Sequence, residues 1–187
     1  MERPVVLIIT GPPGAGKTAA AGLVAQRFDR AVCLESDWFW TTIVKGFVPP
    51  WRPEADPQNR AVLTAVAEAA AALATGGYHV VIDGIVGPWY LGLVTGPLAR
   101  HDIATHYVVL RPDLEVTRGR VGARVAREAR KSLLASAFRN EDPVARMWGE
   151  FSDLGEFERH VIDNTDLDAP ATAALVWARY CEDTHRL

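Results

Sequence analysis

The stretch Gly11-Pro-Pro-Gly-Ala-Gly-Lys-Thr18 limits what this chain can fold into more than any other part of it. It meets G-x-x-x-x-G-K-[ST] at every fixed position, follows the apolar run Val5 to Ile9 and precedes a helical pattern from Ala19 to Phe28. A strand, a glycine-rich loop and a helix in that order separate a phosphate-binding loop from a chance match. Glycines let successive backbone N–H groups turn inward around a polyphosphate, and the next helix points its positive dipole end at the same oxygens. Gly11, Gly14, Ala15, Gly16, Lys17, Thr18 and Ala19 are therefore the expected nucleotide contacts. Lys17 is placed to reach the β- and γ-phosphates of ATP, and the Thr18 hydroxyl to ligate Mg²⁺.

The rest of the chain sets bounds. At 187 residues, 49% of them hydrophobic, it can bury one substantial core, and residues 1–187 read as a single domain. A net charge of -3 carries no electrostatic footprint for duplex nucleic acid, so small molecules are the expected partners. Oligomeric state is not encoded in any visible feature. The phosphate loop starts at residue 11, leaving no room for a signal peptide, and no apolar run approaches a membrane span. The expected location is the cytoplasm. Cys33 and Cys181 lack disulfide or zinc spacing and read as buried thiols. The five histidines lack ligand spacing and read as structural or surface groups.

In order, Val5 to Ile9 is apolar without alternation, as a strand buried on both faces of a parallel sheet is. Ala20, Val24 and Phe28 form a seam that can pack the first helix on that sheet. A second strand, Ala31 to Glu35, delivers Ser36-Asp37 to the carboxyl edge, where open α/β folds bind ligands. Asp37 is thus placed to act on a substrate, or alternatively to cap a helix starting at Trp38. Trp38, Phe39, Trp40, Ile43, Phe47 and Trp51 follow, and they read equally as core or as the wall of an apolar substrate pocket. Residues 38–60 are the expected substrate segment, with Gly46 to Pro57 a structured loop. A packing helix runs from Asn59 to Thr75.

His79-Val-Val-Ile-Asp83 is a third strand ending in an acid, as the Walker B pattern does, with the carboxylate holding Mg²⁺ directly or through water. Trp89 and Tyr90 can add to the same pocket wall. A fourth strand, Ile103 to Leu110, leads to a helix capped near Asp113 and bearing Arg118, Arg120, Arg124, Arg127 and Arg130. Arg120, Arg124 and Arg127 share one helical face, an arrangement that suits an anion as well as a solvated surface. Met147 to Phe157 reads as a helix and His160 to Asp163 as a fifth strand. The last helix spans Ala169 to Glu182 with Ala171, Leu175 and Ala178 on its inner face.

Five strand-like runs alternating with helices argue an α/β doubly wound parallel sheet. With the phosphate loop after the first strand, the chain resembles the small P-loop kinases grouped with shikimate, gluconate and adenylate kinases. The pairing of Ser36-Asp37 with Val80-Val-Ile-Asp83-Gly-Ile85 is most similar to the chloramphenicol phosphotransferase-like branch. The resemblance implies a P-loop NTPase fold with sheet order 2-3-1-4-5, flanking helices and a helical lid over residues 120–140. It also implies that Asp37 faces the acceptor hydroxyl, that Arg120 lies near the adenine, and that Arg124 and Arg127 close on the γ-phosphate. Asn164 to Asp166, with Thr165 as the expected contact, falls in the loop that borders the adenine. Unlike shikimate and gluconate kinases, the chain offers only Lys45, Arg52 and Arg60 as basic groups between strands two and three. The reading is an ATP-dependent kinase with Mg²⁺ that phosphorylates a hydroxyl of a small, partly apolar metabolite or antibiotic. A nucleoside or nucleic-acid-end kinase, or a nucleotide-dependent switch ATPase, is the alternative.

Overall fold

The computed structural model describes residues 3–128 and 143–187, with side chains for 3–123 and 143–187. Five parallel strands form one sheet in the order β2-β3-β1-β4-β5, the order that the resemblance to P-loop kinases implies. They are β1 Val5–Thr10, β2 Ala31–Glu35, β3 His79–Asp83, β4 Ala104–Leu110 and β5 Val161–Ile162. β1 is buried along its whole length because it lies between β3 and β4, with a helical layer on each face. Its side chains alternate between two cores. Val6 and Ile8 join α3 (Asp56–Thr75) and α4 (Pro88–Ala99), while Leu7 and Ile9 join α1 (Lys17–Ala25) and α7 (Ala169–Cys181). Period-two strands with apolar residues on both faces give an unbroken hydrophobic run, so the sequence shows no alternation.

The sequence does not predict α4; the other helices are those expected, with shifted boundaries. α1 starts at Lys17 rather than Ala19, directly out of the phosphate loop. α3 starts at Asp56 rather than Asn59, with Pro57 in its first turn, a position proline tolerates. α2 (Asp37–Thr41) starts at Asp37, with Ser36 as its N-cap, so Asp37 is not the cap. α5 spans Leu114–Glu128. The expected helix from Met147 to Phe157 is instead α6 (Pro143–Glu150) and a 3-10 turn, Gly155–His160, separated by residues 151–154, and Gly155, which opens the turn, has φ of +56°. α7 buries Thr172, Ala173 and Val176, whereas Ala171 and Ala178 are exposed, so its inner face is rotated from the expected seam. Cys33 is half-buried and Cys181 exposed, not buried as expected. Among the described residues, no helix is long and apolar enough to cross a membrane.

The chain's end closes the sheet. Leu187 N–H donates to the Thr105 carbonyl at 3.0 Å and Tyr107 N–H to the His185 carbonyl at 2.9 Å, beside an antiparallel bridge of Arg186 to His106. This brings His106, His160 and His185 together, all buried, around Tyr107 and Tyr180. Among the described residues, no group of three or more His, Cys, Asp or Glu could hold a metal ion, these histidines included. Burial lowers the pKa of all three histidines. That of His185 is pushed down to about 4, with the nearby His160, Arg179 and His106 adding to the effect. Asp183, 3.7 Å from His106, opposes the shift there.

A depressed folded-state pKa means that the unfolded chain binds more protons. Stability is then complete above the unfolded value near 6.5 and is lost as pH falls toward 4. Melting temperature should therefore drop by about 5–10 °C between pH 7 and pH 4.5. Both ring nitrogens of His185 lack a hydrogen-bond partner, so His185→Phe removes no bond and should flatten this acid limb. Thermal denaturation across that range checks it; an acid limb as steep in the variant as in the wild type would count against the histidine account.

Candidate functional site

The parallel register aligns the ends of three strands. Asp83 pairs with Ile9 of β1 and with Glu35 of β2, so the phosphate loop, Ser36-Asp37 and Gly84 all leave one edge of the sheet. The loop's shape follows from its glycines. Gly11, Gly14 and Gly16 have φ of +140°, +82° and +91°, a region that other residues rarely enter. A Cβ on Gly11 would lie 2.0 Å from the Leu110 carbonyl oxygen, and one on Gly14 2.6 Å from that of Thr117. The loop is thus wedged against the end of β4 and the first turn of α5. Lys17 Nζ donates to the Gly11 and Pro12 carbonyls, each at 3.0 Å, which holds the ammonium at the loop.

The Thr18 hydroxyl lies close enough to the Asp83 carboxyl to lower its pKa. Burial raises the pKa of Asp83, the Thr18 hydroxyl and Lys17 pull it down, and the charges of Asp37 and Glu35 push it up again. A hydroxyl and a carboxylate side by side are an all-oxygen donor set that suits a hard divalent cation, so these residues fit Mg²⁺. Asp37 projects from the first turn of α2 and is exposed.

The chain leaving β3 is pinned at Val86. Its N–H donates to Thr10 Oγ1 and its carbonyl accepts from the Tyr107 hydroxyl, both at 2.8 Å. Gly84 is required in this turn because a Cβ there would lie 2.0 Å from Ser36 Oγ. Gly84→Ala should lower the melting temperature by several degrees, an overpacking cost of about 1–3 kcal/mol. Adding Ser36→Gly should recover part of that loss. Calorimetry of both variants checks the clash; no recovery in the double variant would refute it.

The aromatic segment divides between the two readings. Phe39, Trp40 and Ile43 pack on the core, whereas Trp38 and Phe47 are 69% and 41% exposed, and Trp89 beyond β3 is 44% exposed. The loop after α2 is structured by α3. Gln58 takes both polar groups of Val48, at 2.8 and 2.7 Å, and Asn59 donates to the Pro50 carbonyl at 2.7 Å while accepting from Trp40 Nε1 at 3.1 Å. Arg146 of α6 reaches the Trp51 carbonyl from the other side. Arg60 is bound to Asp56 at 2.8 Å, and the same carboxylate accepts from the Tyr90 hydroxyl.

On the opposite side of the loop, a cleft is lined by Gly16, Arg120, Asn164, Leu167, Asp168 and Thr172. Arg120 is committed to the carbonyls of Asn164 and Leu167, each at 3.2 Å. Thr165 is engaged within its turn, donating to Asp163 Oδ1 at 2.6 Å and accepting from Asp113 N–H at 2.9 Å. Arg118 pairs with Glu115 on the helix surface. Arg124 and Arg127 fall on the last turns of α5, with side chains outside the described residues, and Arg130 lies outside them altogether. So does the expected lid for most of residues 120–140. Sequence reasoning did not single out Asn164, whose side-chain amide donates to the Ala15 carbonyl at 2.9 Å. A polar Asn-Thr pair after an apolar strand was the available signal, but it reads equally as an ordinary turn.

A family model described as an AAA domain matches residues 6–141. The fold matches the Deinococcus radiodurans tunicamycin resistance protein at 17% identity and TM-score 0.65, over 95% of this chain and 96% of that one. It matches a sugar kinase from Janibacter sp. HTCC2649 at 18% identity and TM-score 0.62, over 97% and 98%. It also matches the Mycobacterium tuberculosis APS kinase CysC in complex with AMPPNP and APS, at 21% identity and TM-score 0.57, over 70% and 75%. These likenesses establish a P-loop kinase fold. No curated protein matches the sequence.

Proposed function

This chain belongs to the AAA domain family, and on that premise we propose that it is an ATP-dependent phosphotransferase that moves the γ-phosphoryl group to a hydroxyl of a small, partly apolar molecule. The observation that carries the reading is the common strand edge, where the phosphate loop, the Thr18–Asp83 pair and the exposed carboxylate of Asp37 emerge together. Phosphoryl transfer needs mainly positioning and charge neutralisation around a loose transition state. Lys17 and the loop N–H groups bind the β- and γ-phosphates. Thr18 and Asp83 hold Mg²⁺, which supplies further neutralisation when bound. Asp37 orients the acceptor hydroxyl and takes its proton late in the transfer.

The acceptor class follows from the segments that flank this edge. Trp38, Phe47 and Trp89 leave apolar surface exposed there, and Arg60 is already neutralised by Asp56. Two cations, Lys45 and Arg52, are then left for an anionic acceptor on that segment, so a neutral, partly apolar alcohol suits it better. A cytoplasmic location accords with this use of ATP. The test is a panel of hydroxylated metabolites, nucleosides and antibiotics, each added to protein, ATP and Mg²⁺ with ADP release measured. At least one neutral alcohol should stimulate ADP release. Stimulation by no member of the panel would argue against a small-molecule kinase.

A further inference from the structure

We infer that Asn164 is a positioning residue of the phosphate loop, its side-chain amide holding the Ala15–Gly16 peptide so that the Gly16 N–H faces the phosphates. The inference rests on the nucleotide-site reading above. Every peptide bond among the described residues is trans, and a trans peptide points its C=O and N–H in opposite directions. Asn164 Nδ2 donates to the Ala15 carbonyl at 2.9 Å. The N–H of the same peptide, which belongs to Gly16, is thereby turned away from Asn164 and into the loop. Gly16 itself has φ of +91°, and beyond its chain neighbours the nearest atoms to its Cβ position are Asn164 Nδ2 at 3.7 Å and Arg120 Nη1 at 3.8 Å. On the Gly16 side, therefore, no side-chain crowding fixes this peptide. A glycine peptide without steric restraint can rotate, and a donor that must be oriented at the moment of binding contributes less than a preorganised one.

The surroundings of Asn164 fit this role. The residue is 1% exposed and lies in the cleft wall beside Gly16 and Arg120. Its backbone carbonyl is held by Arg120 at 3.2 Å, which steadies the turn from which the side chain reaches. The orientation of the amide is dictated by chemistry, since the flipped form would set Oδ1 against the Ala15 carbonyl oxygen. In the observed orientation Oδ1 is buried without a hydrogen-bond partner. Burying an unpaired acceptor is unfavourable, and a small apolar residue would avoid it. What the asparagine adds is the donor to Ala15, together with a longer bond from the same Nδ2 to Thr172 Oγ1 at 3.5 Å.

The experiment uses full-length protein with inorganic tripolyphosphate, ATP and GTP as probes, binding being measured by calorimetry. Asn164→Ala removes the donor, and Asn164→Asp replaces it with a carboxylate oxygen facing the Ala15 carbonyl. Both should weaken tripolyphosphate and ATP by the same factor, about 10–100-fold, the value of one hydrogen bond to a charged acceptor. The ATP to GTP affinity ratio should stay at its wild-type value. Unchanged tripolyphosphate affinity in both variants overturns the inference, as does a changed ATP to GTP ratio, which would mark general collapse of the cleft. Wild-type protein that binds neither tripolyphosphate nor ATP overturns the nucleotide-site reading and this inference with it. Nuclear magnetic resonance on wild-type protein supplies a test that needs no variant. Tripolyphosphate should shift the Gly16 amide proton downfield while the Asn164 side-chain amide protons stay protected from exchange, and a Gly16 amide that does not move overturns the assignment.

Discussion

Replacing Lys17 by alanine is expected to lower ATP turnover by at least about 10²–10³-fold, the usual cost of removing one preorganised donor from a developing charge. The fold should survive. Lys17 Nζ bonds two carbonyls of its own loop, and the side chain is half-buried at the loop rather than packed in either core. The phosphate loop is otherwise shaped by glycine conformations and by Leu110 and Thr117, none of which the substitution touches. Steady-state ATP hydrolysis or transfer, with circular dichroism as the fold control, checks the prediction. Near-normal turnover in a folded variant would remove the phosphate loop from the catalytic account.

The second large effect is expected at Asp37. Asp37→Asn should lower kcat by about 10²–10⁴-fold, the range of general base catalysis, while ATP affinity barely changes. A purely structural role predicts almost nothing. Ser36, not Asp37, occupies the N-cap of α2, and no side-chain hydrogen bond closes that cap. Loss of the first-turn charge at an exposed position costs at most about 1 kcal/mol. Single-turnover transfer measured with saturating ATP separates the two cases. A rate close to that of the wild type would leave Asp37 as a surface acid and shift attention to Asp83, a buried carboxylate at this edge beside Thr18 with a raised pKa.

Much of this architecture was legible in the amino-acid sequence, and the reason is local. A strand buried on both faces, a loop whose glycines need positive φ and a strand that ends in an acid each leave their mark within a few residues. The sheet order followed from the resemblance to P-loop kinases, and the observed order agrees with it. Asp83 and Thr18, 65 positions apart, meet because parallel register makes the strand ends coincide. What stayed hidden depends on contacts between distant segments. The inner face of α7 was misassigned because Ala169 to Cys181 is apolar on several sides, so the helix packs by shape rather than by one clear seam. The single amphipathic helix expected from residue 147 stops at Glu150, and the chain resumes as a 3-10 turn at Gly155, which adopts positive φ. His106, His160 and His185 have no sequence spacing in common and become neighbours only when the chain's end pairs with β4. The ties from Gln58, Asn59 and Arg146 to the loop after α2 likewise join segments up to 95 positions apart.

The central claim is that the γ-phosphoryl group leaves ATP for an alcohol rather than for water. Phosphorus nuclear magnetic resonance of the protein with ATP, Mg²⁺ and the most stimulating alcohol of the panel tests it directly. The account predicts a phosphate monoester resonance that grows in step with ADP and is lost in the Asp37→Asn protein. Inorganic phosphate as the only phosphorus product beside ADP, formed at the same rate with and without the alcohol, would contradict it and identify a nucleotide-hydrolysing switch instead.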